Sequence, residues 1–87
     1  MSETKSTLKI DIVGAQVAAA RKLLQMKQVD LAAATGLTEP TIVKFERGGN
    51  VRPETMEAIR EALLARGIVF TNGGEPGVKL RKTETAE

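Results

Sequence analysis

The stretch from Gln28 to Glu46, QVDLAAATGLTEPTIVKFE, constrains this chain more than any other. QVDLAAAT carries Leu31 and three alanines, the residue of highest helix propensity, which predicts a helix over 28–35. EPTIVKFE carries Ile42 and Phe45 at i, i+3 spacing, which predicts a helix over 39–46. Each is only about eight residues long, and helices below about 12 residues are marginal in water. They must pack on each other and on their neighbours. Gly36, a residue free to take positive φ, ends the first. Thr38 caps the second, and Pro40 is harmless in a first turn, where its missing N–H has no intrahelical partner. Leu37 is left to fill the gap between the two.

The flanks supply the neighbours. Val13, Val17, Ala20 and Leu24 recur at helical spacing with Leu23 beside them, predicting a helix over about 12–25 with Asp11 as its N-cap. RGGNVRP is a loop by its Gly-Gly-Asn content. Pro53 opens a fourth helix over about 53–66, with Met56, Ile59 and Leu63 on one face and Gly67 ending it. The period then changes. Ile68-Val69-Phe70 and Val78-Lys79-Leu80-Arg81 flank a Gly/Asn/Pro-rich turn and predict a β-hairpin or a pair of short strands. The expected organisation is a flexible arm over 1–10, a helical domain over 11–67, a β segment over 68–82 and a disordered tail over 83–87.

Composition narrows the function. With 87 residues there is room for one small domain, which is marginal without a partner. The absence of cysteine and histidine removes disulfides, thiolate zinc sites and the commonest general base. Ser2 and Ser6 lie in the polar arm with no visible base. Glu54, Glu57 and Glu61 alternate with Arg60 and Arg66, so a solvated helix face fits better than a metal or acid–base site. NGGEPG lacks the Gly-Lys-Ser/Thr ending of a phosphate loop and is a turn. No cofactor, no metal and no enzymatic activity are expected. No apolar run approaches the roughly 18 residues of a membrane span, and MSETKSTLKI has no long apolar core of a signal peptide. The simplest address is the cytoplasm. A net charge of +2 and a pI of about 9.2 suit a surface that meets phosphates on one face.

A short helix, a turn of three or four residues and a second short helix form the helix-turn-helix arrangement, whose second helix enters the DNA major groove. The stretch KQVDLAAATGLTEPTIVKFERG resembles the Cro and phage-repressor type of this motif, the Xre family, with Gln28, Leu31, Ala32, Gly36, Ile42, Glu46 and Gly48 at its recurrent positions. The resemblance spans about residues 13–66. It implies a mainly α, repressor-like bundle of four to five helices, here followed by a β-hairpin or strand pair, that binds double-stranded DNA as a homodimer.

By position, Glu39, Pro40, Thr41, Val43 and Lys44 would face the bases, and Lys27, Gln28, Thr38, Arg47 and Arg52 the phosphates. Lys27 stands where the family often has Ser, Thr or Asn, and Pro40 where it usually has a hydrogen-bonding or small residue. Arg21 and Glu46 match a structural ion pair that orients the recognition helix. Glu39 has an equally good reading as a first-turn acid favoured by the helix dipole.

The β segment has no obvious partner in a four-helix core, so Ile68, Val69, Phe70, Val78 and Leu80 are expected to contribute to the dimer. A different class of function uses the same scaffold to bind protein, as an antitoxin or antiactivator with a toxin or regulator as partner. Glu39 and Pro40 favour that reading, and the basic set Lys27, Lys44, Arg47 and Arg52 favours DNA.

Overall fold

A computed structural model of the chain describes residues 12–72 and 74–81. Four helices precede a hairpin: α1 Gly14–Leu24, α2 Gln28–Thr35, α3 Glu39–Glu46, α4 Pro53–Leu64, β1 Ile68–Thr71 and β2 Gly77–Leu80. The strands are antiparallel, with Ile68 opposite Leu80 and Phe70 opposite Val78. The architecture is therefore mainly α with a short C-terminal hairpin.

One contiguous core joins every element. Val17 and Ala20 from α1, Leu31 from α2, Ile42 and Phe45 from α3, and Ile59 and Leu63 from α4 meet there with Ile12 and Ile68. Leu37 and Met56 pack against its edge. This burial answers the shortness of α2 and α3. Removing a buried side chain such as Ile42 typically costs about 2–5 kcal/mol, far more than the propensity of an eight-residue helix supplies.

α1 departs from its apolar spacing. Its N-cap is Val13, extended and 45% exposed, so Val13 does not join the inward stripe. Asp11 is not at the cap position and lies outside the described residues. The capping contact comes instead from within the helix, where Gln16 Oε1 accepts the Val13 N–H at 2.9 Å. Leu23 also points outward. Two polar side chains, Gln16 and Arg21, take places on the buried face. α4 is shorter than expected, because the chain turns through residues 65–67 and Gly67 adopts φ 93°.

The hairpin is not a detached appendage but packs on the helices of its own chain. β2 packs along α1, and β1 touches α4. Gln16 Nε2 donates to the carbonyls of Thr71 and Gly77, at 3.1 and 2.9 Å, fixing the turn end of the hairpin onto α1. Ile68 is 1% exposed inside its own chain's core, which removes it from any surface offered to a second chain. Val69, Phe70 and Val78 are half-buried, and Leu80 is exposed.

Candidate nucleic-acid interface

The turn between α2 and α3 is built from backbone and hydroxyl contacts. Gly36 ends α2 with φ 77°, and the next N–H, on Leu37, donates to the Ala32 carbonyl at 3.1 Å. Thr38 caps α3: its Oγ1 accepts the Thr41 N–H at 3.3 Å and shares a 2.9 Å hydrogen bond with Thr41 Oγ1. The far end of α3 closes with Gly48 N–H on the Phe45 carbonyl (3.0 Å) and Gly49 N–H on the Lys44 carbonyl (2.8 Å). That bond pattern satisfies the last carbonyls and needs the left-handed conformation that Gly48 takes, φ 95°.

Between those ends α3 divides cleanly. Ile42 and Phe45 are buried, Glu39, Pro40 and Lys44 are exposed, and Thr41 and Val43 are half-buried. Pro40, Val43, Lys44 and Arg47 surround a shallow depression with Gly48 and Gly49. Gly49 keeps that spot narrow. A Cβ there would lie 2.6 Å from Lys44 Cγ, so the lysine stem runs against bare backbone.

A charged cluster fixes the orientation of α3. Arg21 donates from Nε and Nη2 to both oxygens of Glu46, at 2.6 and 2.8 Å, and from Nη1 to the Met26 carbonyl at 3.0 Å. Gln28 Nε2 adds a third donor to Glu46, at 3.0 Å. One carboxylate thus ties α1, the start of α2 and the end of α3. The hydrogen bond that Arg21 donates to Glu46 raises the Arg21 pKa above the ordinary guanidinium value, against an opposing contribution from burial. The side chains are 10% and 6% exposed, so the pair is desolvated and depends on its two-pronged geometry.

Close backbone contact completes the arrangement. A Cβ on Gly14 would collide with the Phe45 carbonyl oxygen and lie 2.8 Å from Glu46 Cα. Only glycine lets the first turn of α1 touch the end of α3.

The residues expected at phosphates fall at element ends. Lys27 is the N-cap of α2 and exposed, its N–H held by Asp30 Oδ2 at 2.9 Å. Gln28 begins α2, but its side-chain nitrogen is engaged with Glu46. Thr38 and Arg52 are the N-caps of α3 and α4, and Arg47 follows α3 as its C-cap, exposed. Arg52 lies 3.6 Å from Glu54, with both side chains more than 70% exposed. An exposed pair of that kind contributes little, and an incoming phosphate can replace the carboxylate. On α4, Arg60 binds Glu57 at 2.7 Å, in keeping with a solvated face. Among the described residues, no group of three or more acidic residues is placed to hold a metal ion.

Sequence reasoning missed Gln16, Gly14, Gly49 and the Gln28–Glu46 bond. A lone glutamine or glycine carries no periodic signal. Only the GG pair after α3 hinted that backbone approaches side chain there.

A capped, core-pinned short helix presenting an outward face after a tight turn defines a helix-turn-helix DNA-binding protein. Residues 17–64, more than half of the chain, match the helix-turn-helix family model, and the chain belongs to that family in its Cro/C1-type, Xre-like form. Its members are DNA-binding regulators of transcription. No curated protein matches the chain. Among the described residues, no helix is long and apolar enough to cross a membrane.

Proposed function

We propose that the protein is a sequence-specific transcriptional repressor that binds a near-palindromic operator as a homodimer, often at its own promoter, in the cytoplasm. The observation that carries this reading is the exposed face of α3, clamped through Glu46 and flanked by Lys44 and Arg47. Lys44 donates to guanine O6 and N7, and Glu39 accepts from cytosine N4. Thr41, Pro40 and Val43 fill the groove between them, Val43 against a thymine methyl. Lys27, Gln28, Thr38, Arg47 and Arg52 position the duplex through phosphates. Gln28 does so with its backbone N–H at the start of α2, where free donors and the helix dipole favour an anion.

Two recognition helices in a dimer sit about 34 Å apart, one turn of duplex. The hairpin supplies part of the dimer contact through Val69, Phe70, Val78 and Leu80, without Ile68. Leu80→Glu therefore gives monomers with weak operator binding, read by light scattering and gel shift.

Footprinting on the promoter of its own operon at two salt concentrations tests the reading. The expected result is a symmetric footprint whose affinity falls steeply with salt. Lys44→Ala weakens operator binding by about 1–3 kcal/mol, up to roughly a hundredfold, and relaxes discrimination at one base pair. No footprint at either salt, or a footprint whose affinity Lys44→Ala leaves unchanged, overturns it. Without a footprint, the Glu39–Pro40 turn would serve a protein partner, such as a toxin.

A further inference from the structure

Two adjacent glycines follow α3, and each is glycine for a different reason. Gly48 takes φ 95°, and a Cβ on it would meet nothing within 4 Å, so conformation demands glycine there. Gly49 is not among the residues with positive φ, so its backbone conformation does not call for glycine. What it lacks is room. A Cβ on Gly49 would lie 2.6 Å from Lys44 Cγ, 3.3 Å from Lys44 Cε and 2.9 Å from the Lys44 carbonyl oxygen. Near and far carbons of one side chain both pass close to bare backbone. The lysine stem therefore lies along Gly49 instead of standing straight out from α3. The main chain holds this seat in place, because the Gly49 N–H donates to the Lys44 carbonyl at 2.8 Å.

The seat lies on the face that meets the duplex. Pro40, Val43, Lys44 and Arg47 recur at i, i+3, i+4 and i+7, one stripe along α3 and its C-cap. The same four residues border the depression that Gly48 and Gly49 complete. Lys44 is exposed, and a lysine carries its ammonium on a flexible four-carbon stem. A loose stem must be ordered before it can favour one base over another, and that ordering opposes binding. A stem already laid on backbone arrives with its direction set, and preorganisation of this kind strengthens binding without a new contact.

We propose that Gly49 is a specificity-determining residue that works through Lys44. Its bare α-carbon seats the lysine stem and so fixes the direction from which the ammonium reaches its base pair. Gly49 touches no base itself; it is a positioning residue. The inference rests on α3 being the base-reading helix, as proposed above.

The full-length chain, Gly49→Ala, Lys44→Ala and the double variant are each used to select from a pool of random duplexes. The wild-type site is then titrated with all four by gel shift. Gly49→Ala is expected to relax the preference at the same base pair that Lys44→Ala relaxes, and at no other. It weakens binding about fivefold or more when Lys44 is present and less than about twofold when Lys44 is alanine. The added Cβ also presses on the Lys44 carbonyl, but that strain persists in the Lys44→Ala chain, so the cycle removes it. In the free wild-type chain, nuclear Overhauser contacts between the Lys44 γ-protons and the Gly49 α-protons are expected, a check that needs neither a variant nor DNA. Their absence overturns the proposal. So does an equal loss in both backgrounds, or a Gly49→Ala chain that selects the wild-type site with unchanged preference. A wild-type chain that selects no sequence overturns the repressor reading itself and this inference with it, whereas the other failures leave that reading standing.

Discussion

The recognition helix and the C-terminal hairpin face the same difficulty and resolve it with different chemistry. Neither is long enough to hold its shape alone. α3 is fixed at its end by a buried ion pair between Arg21 and Glu46, joined by Gln28. The hairpin is fixed by one neutral amide, Gln16, reaching two carbonyls at once. Both polar anchors sit on the buried face of α1, which serves two masters from adjacent turns. A buried ion pair tolerates almost no change in geometry, because either partner alone is left as an unpaired charge. A buried amide tolerates more, since its partners can be rehydrated when the hairpin loosens. The difference suits the tasks proposed for them: a recognition helix needs a fixed angle, and a hairpin needs only to stay attached.

Substitutions can break this comparison. The largest effect is expected for Arg21→Ala, which strands Glu46 and lowers stability by about 3–5 kcal/mol, with operator binding lost alongside. Thermal unfolding and gel shift check it, and unchanged melting would refute the clamp. Because the Arg21 pKa is raised by its partner, this contribution is fully present below the ordinary guanidinium pKa and fades only as pH climbs through the still higher folded value. The ion pair therefore adds no pH dependence to stability across roughly pH 6 to 9.

Gln16→Ala should cost about 1–3 kcal/mol by leaving two carbonyls and the Val13 N–H without their partner. Residue-resolved hydrogen exchange should show the hairpin opening while α3 keeps its protection. Equal loss in both regions would mean that the two anchors are not independent. The smallest effect is expected for Thr38→Ala, about 1 kcal/mol from the lost cap, with faster exchange at the Thr41 amide and little change in the hairpin.

What could be read from the sequence follows the same division. Ile42 and Phe45, the Thr38 cap and the Gly36 terminus are local signals, and each stands where the pattern put it. Arg21 and Glu46 are 25 positions apart, and only likeness to a family suggested that they meet. Gln16 was invisible because a glutamine between valine and alanine looks like a solvent position. That omission made the hairpin look unpartnered and sent Ile68 to the surface. Val13 erred in the opposite direction: an apolar residue in phase with α1 turned out to cap it from outside. Long-range polar contacts leave no period in the chain, so patterning finds the core and misses its polar rivets.

Gly14 sets a boundary for anyone wishing to redirect this reading head. The exposed positions of α3, Glu39, Pro40 and Lys44, can be exchanged for those of a relative while Ile42 and Phe45 keep the core contact. The graft inherits its tilt from a hydrogen atom on the first turn of α1, pressed against the Phe45 carbonyl. A donor helix taken from a scaffold with alanine at that seam would sit farther from α1, and its bases would be read out of frame.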